Sequence, residues 1–138
     1  MIDSAFLLWI VGVLAGSMLF FGVVVAPLVF RVLPADAAGS FLRAFFPNYY
    51  LWGLIVTIVA AVLAAFVDPV SLILCILVAV LFAYTRQSLM PKINEARDAS
   101  LAGNAEASIR FERLHRLSVI INAMQLLVLL AIAGMQIW

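Results

Sequence analysis

FERLHRLSVIINAMQLLVLLAIAGMQIW, Phe111–Trp138, begins as a charged helix face and becomes an uncharged run of 22 residues, Leu117–Trp138. The only histidine, His115, sits at the junction. Ser118, Asn122 and Gln125 follow at spacings of three, four and three, which puts them on one helical face with it. The run matches the roughly 20 residues a helix needs to cross hydrocarbon. Polar groups facing acyl chains find no partners, so the Ser118–Asn122–Gln125 stripe must pack on protein. The rest of the chain therefore has to supply a bundle.

Composition agrees. Of 138 residues, 67% are hydrophobic and 11% charged, where a soluble domain keeps about 25% charged. Too few charges remain to cover a water-facing surface, so lipid must cover it. A net charge of +1 excludes nucleic acid as a partner on global grounds. Cys75 is the only cysteine, which leaves no internal disulfide and no multi-cysteine metal site. Within its apolar run it reads as a small buried hydrophobe. No basic segment precedes the first apolar run, which is too long for a signal-peptide core; it reads as a retained span.

Four stretches are long enough to span: Ala5–Phe30, Tyr50–Val67, Ser71–Leu89 and Leu117–Ile137. Asp68-Pro69 is a turn that makes spans two and three an antiparallel hairpin. The expected fold is all-α, an integral membrane four-helix bundle over residues 1–138, with short cytoplasmic helical extensions between spans three and four. All eight Lys and Arg residues fall after span one (Arg31, Arg43) or after span three (Arg86, Lys92, Arg97, Arg110, Arg113, Arg116). The opposite side has only Asp3 and Asp68. The positive-inside rule then predicts a multi-pass protein of the inner cell membrane with both termini outside the cytoplasm.

Between spans one and two, Pro34, Gly39 and Pro47 read as breakers around an amphipathic helix, Ala35–Phe46. The 91–116 arm shows two short helical patterns, Ile93, Ala96, Leu101 and Ile109, Phe111, Leu114, separated by a turn at Ala102-Gly103-Asn104. Two uses of the arm are open: a solvated helix pair with surface ion pairs, or a docking site for a partner or for anionic lipid heads.

Small residues predict where helices approach closely. Gly12, Gly16 and Gly22 form one such face on span one; Gly53 leads another on span two with Thr57, Ala60 and Ala64. Packing inside the bundle is one use of Gly12 and Gly16; joining two copies into a homo-oligomer is the other. Pro27 predicts a kink near the end of span one, with the Val23 carbonyl freed.

Ionisable groups near the membrane are candidates for function. Arg31, Arg86 (with Tyr84 beside it) and His115 are expected at one depth. With Asn122 and Gln125 below, they would form a basic vestibule for an anionic ligand, a lipid headgroup or a porphyrin propionate. The plainer alternative is arginines snorkelling at an interface and a hydrogen-bonded histidine. No Walker loop, GxGxxG, HExxH or CxxC occurs, and no catalytic residue is assigned. His115 is the only candidate haem ligand; a b-type haem would need Met90, Met124 or Tyr84 opposite it. Trp9 and Trp138 read as an outer aromatic belt, and Tyr49, Tyr50 and Trp52 as an inner one.

FFGVVVAPLVFRVLP (Phe20–Pro34), FFPNYY (Phe45–Tyr50) and FERLHRLSVIIN (Phe111–Asn122) together resemble the transmembrane-protein-205-like family, small four-span proteins of bacteria and eukaryotes whose biochemical function is unknown. The resemblance rests on Gly22, Pro27 and Phe30, on Phe46, Pro47 and Tyr50, and on His115 and Asn122. It implies a four-span fold and a distant similarity to four-span proteins of copper resistance and haem synthesis. Three functions follow as expectations: a non-enzymatic bundle binding a lipid, metal or small solute; a haem- or metal-dependent membrane oxidoreductase; and a small oligomeric transporter.

Overall fold

Each uncharged run becomes one long helix. The computed structural model describes residues 4–138, and Asp3, expected on the side without cations, lies outside that range. The helices are α1 (Ser4–Val32), α2 (Ala35–Ala64), α3 (Pro69–Leu101) and α4 (Ala105–Ile137), each long and apolar enough to cross a membrane. The protein is a multi-pass membrane protein of all-helical architecture.

Short connections fix the order. Leu33 and Pro34 are extended and stop α1, since the residue before a proline avoids helical dihedrals. Asp68 caps α3 by accepting the Ser71 N–H at 2.7 Å, and Pro69 begins the helix where no donor is needed. Asn104 caps α4 in the same way, through the Ala107 N–H at 3.1 Å. Gly103, at φ 96, makes the left-handed step between α3 and α4.

α2 packs against α1 and α3, and α4 packs against the same two, so α1 and α3 stand diagonally across the bundle. The ends of α3 and α4 run on together beyond the bundle as the charged arm. Leu7, Val11, Leu14 and Met18 of α1 are buried with Val56, Ala60 and Ala64 of α2, Cys75, Val78 and Phe82 of α3, and Leu129 and Ile132 of α4. Lipid is as apolar as these side chains, so the bundle is held by close packing and a few interhelical hydrogen bonds. Tyr49 and Asn122 join α2 to α4 at 3.0 Å, and the Gln125 amide donates to the Val78 carbonyl of α3 at 3.3 Å.

Three expectations need correction. Gly39 and Pro47 do not end a separate amphipathic helix, because α2 runs unbroken through both. Proline deletes one donor, and the bonds on either side carry the helix past it. Tyr49 and Tyr50 are buried in the bundle and form no belt. Gly12, Gly16 and Gly22 do not receive a neighbouring helix: a Cβ on any of them would meet nothing within 4 Å. Span one packs instead through the larger side chains one step round the helix, Val11, Leu14, Ala15 and Met18. Gly53 does receive a neighbour, since a Cβ there would overlap the Phe82 ring.

Near Pro27, where the sequence predicts a kink, the helix widens. Phe21–Val25 form a π-turn whose following amide, Ala26, bonds the Phe21 carbonyl five residues back; Pro27 comes next. Thr85–Leu89 repeat this before Pro91, with Met90 bonding the Thr85 carbonyl. A wider turn relieves the clash between a proline ring and the carbonyl four residues earlier, and the one extra residue rotates everything beyond it.

Candidate functional site

The charged end of the bundle holds a wall of aromatic rings. Phe41, Phe45, Phe46, Tyr49 and Tyr50 recur on one side of α2 at helical spacing. Phe21, carried on the π-turn of α1, stacks on Phe45 at 4.7 Å and leans on Tyr49 at 5.2 Å. Phe46 stacks on Tyr50 at 5.6 Å. Opposite this wall, α3 brings Met90, Asn94 and Arg97, and α4 brings Phe111, His115 and Ser118.

Between them lies a cavity of about 430 Å³ under the arm. A second, of about 260 Å³, lies deeper. They share Phe30, Leu42, Phe46, Tyr50, His115 and Ser118, so they are two parts of one groove. Its deep part runs past Tyr49 and Asn122 and reaches Gly22 and Ala26 of α1 and Val119 of α4. Val119 is exposed on the outer surface and Gly22 faces open space, so the groove opens sideways between α1 and α4.

Polar groups collect at the other end. The two terminal guanidinium nitrogens of Arg43 donate to the two carboxylate oxygens of Asp98, at 2.8 Å each, and tie α2 to the arm. The Arg97 guanidinium sits over Gly39, where any Cβ would overlap it. Arg97 has no hydrogen bond or ion pair among the described residues. Tyr50 is largely buried in the same wall, but its hydroxyl is not sealed off, and it makes no hydrogen bond among the described residues. The His115 ring stacks on Phe111 at 5.8 Å.

The expected vestibule is only partly assembled. His115 and Asn122 line the groove. Arg31 is exposed at the end of α1 and lines neither cavity. Arg86 turns to α2 and donates through Nε to the Pro47 carbonyl at 3.1 Å. Tyr84 is 42% exposed and lines neither cavity. Gln125 is fully buried below the groove; its Oε1 has no partner. Arg97, Arg43 and Tyr50 take the places expected for Arg31 and Arg86. The extra residue of the Thr85–Leu89 turn accounts for much of this, since it re-aims the arm so that Met90, Asn94 and Arg97 share the groove face. Their spacing of four and three is legible in the sequence; the rotation that points them inward is not.

Among the described residues no three His, Cys, Asp or Glu side chains group as a metal site. Of the residues proposed opposite His115 for a haem, Met90 shares its cavity; Tyr84 does not, and Met124 is 54% exposed. Compared with known proteins, the chain is similar over residues 9–101 to one family, described as Domain of unknown function (DUF4149). No curated protein and no solved structure matches. The matched range carries the α1, α2 and α3 walls of the groove, and the α4 wall follows it.

Proposed function

The chain belongs to the DUF4149 family, and from that membership and the groove we propose that it is a non-enzymatic membrane protein that holds an amphiphile. One observation carries this reading. The groove is polar at the end beneath the arm, aromatic and aliphatic along its length, and open toward lipid between α1 and α4. A molecule with a polar head and an apolar tail matches all three properties, and the volume of about 430 Å³ falls within the usual 300–1,000 Å³ of small-molecule sites. The motifs Phe20–Pro34, Phe45–Tyr50 and Phe111–Asn122 support a transmembrane-protein-205-like assignment, and cations kept to one side support an inner-membrane placement with the arm in the cytoplasm. The amphiphile would then enter from the cytoplasmic leaflet.

Gly22→Leu tests the site. Gly22 lines the deep part of the groove, and a side chain added there meets no protein atom near its Cβ. Native mass spectrometry in mild detergent is expected to show a retained amphiphile on the natural protein and its loss from this variant. A wild-type protein that emerges folded and free of any amphiphile would end the reading. The same spectra report whether copies associate, as the outward Gly12 and Gly16 would allow. A second reading, b-type haem between His115 and Met90, draws on their shared cavity. A Soret band that disappears in His115→Ala would replace the first reading. For orientation, a thiol introduced by Lys92→Cys is expected to react only with reagents that reach the cytoplasm.

A further inference from the structure

We infer that the polar end of the groove is a seat for the phosphate of a singly charged anionic phospholipid, gripped by the Arg97 guanidinium. This rests on the amphiphile reading above and names the head.

Charge complementarity makes the case. The cavity under the arm is lined by two arginines and the imidazole of His115, and by no Asp or Glu. Asp98 takes both terminal nitrogens of Arg43 and also feels the Arg97 charge, but one carboxylate offsets only one of the two arginines. Arg97 is half-buried and its donors are unspent. An unmatched guanidinium partly removed from water draws in an anion, and its planar fork fits two oxygens of a phosphate. Gly39 is what lets it settle there: with no side chain beneath, the guanidinium lies against α2. The Asn94 amide and the unpartnered Tyr50 hydroxyl stand in the same cavity as neutral donors. One uncompensated cation with neutral donors suits a monoanionic phosphodiester better than a polyanion.

The groove also separates a lipid from free phosphate. A soluble anion has no use for the run of Phe30, Leu42 and Phe46, or for the gap at Gly22 and Val119. An acyl chain leaving the seat follows that run into the bilayer, and each buried methylene adds to binding.

The experiment uses the full chain, stripped of lipid in detergent, with three probes: phosphatidylglycerol, diacylglycerol with the same acyl chains, and inorganic phosphate. Wild type is expected to bind phosphatidylglycerol on the order of tenfold more tightly than diacylglycerol, as a charge-assisted contact predicts. Millimolar inorganic phosphate is expected not to compete. Arg97→Gln removes the preference and leaves diacylglycerol binding; Arg97→Lys, a charge without the fork, keeps part of it. Arg31→Gln removes the same charge outside the groove and leaves the preference intact.

Equal affinity of wild type for the two lipids, or a preference that survives Arg97→Gln, overturns the phosphate seat while the amphiphile reading stands. Displacement of phosphatidylglycerol by millimolar phosphate overturns the lipid as its source. Failure of the wild type to bind either lipid, or lipid binding that Gly22→Leu leaves unaltered, overturns the amphiphile reading itself. If Arg97→Gln does not fold, Gly39→Ala decides, because its methyl displaces only the flexible end of Arg97. An unchanged preference in that variant also overturns the seat.

Discussion

A methyl added to Gly53 would overlap the Phe82 ring, whereas one added to Gly12 would point into open space. Gly53→Ala is therefore expected to cost about 1–3 kcal/mol by overpacking, read as a lowered unfolding midpoint in detergent. Gly12→Leu is expected to leave that midpoint unchanged or slightly raised, because the side chain enters solvent or lipid and leucine favours a helix over glycine. Gln125 poses the opposite question. Its Nε2 reaches the Val78 carbonyl at 3.3 Å, but its Oε1 is buried with no partner. An unmet buried acceptor costs about 1–3 kcal/mol, roughly what the one bond returns. Gln125→Leu is expected to leave stability equal or improved, by the same unfolding measurement. A marked loss would mean that Oε1 has a partner in the membrane, such as a water or a bound head group.

The start of α3 depends on one carboxylate. Hydrogen bonding by Ser71, through its side chain and its backbone N–H, holds the Asp68 carboxyl below the usual carboxylate range, and Gln136 adds to this. A depressed folded value means stabilisation that is complete above the unfolded carboxylate range and lost as pH falls through the folded value. Asp68→Ala is expected to cost about 0.5–2 kcal/mol at neutral pH, the usual worth of an N-cap. Asp68→Asn should keep most of the cap and flatten the acid side of the stability profile. The arm is a second element with its own fastening, the Arg43–Asp98 pair. Both partners are about half exposed, so breaking it with Asp98→Asn should shift global stability by no more than about 1 kcal/mol. Amide exchange over residues 91–101 should quicken while the spans stay protected, because Arg43 and Asp98 hold the arm to α2.

For the whole molecule, the polar stripe of α4 stops short of the far side. Ser118, Asn122 and Gln125 descend from the groove, after which Leu129 and Ile132 are fully buried. Polar groups resume only at Gln136, which donates to Ser71 and Asp68 at the opposite end. That apolar layer closes a single bundle to water and ions, because solvating a charge there would cost several kcal/mol. Liposomes carrying the monomer are accordingly expected to show no more ion flux than empty ones. The number of spans, the Asp68-Pro69 hairpin, the helical arm and the inward stripe of Ser118, Asn122 and Gln125 were determined by the amino-acid sequence alone. A bilayer permits a spanning segment only if it is long, uncharged and internally hydrogen-bonded, and those properties are local. What only the tertiary structure decided is the rotation of each helix about its axis. That rotation turned Gly12 and Gly16 outward and Gly53 inward, sent Arg86 to Pro47, and brought Arg97 over Gly39. Rotation follows from the packing of all four helices together and from two π-turns that each shift the faces beyond them, so no single stretch encodes it.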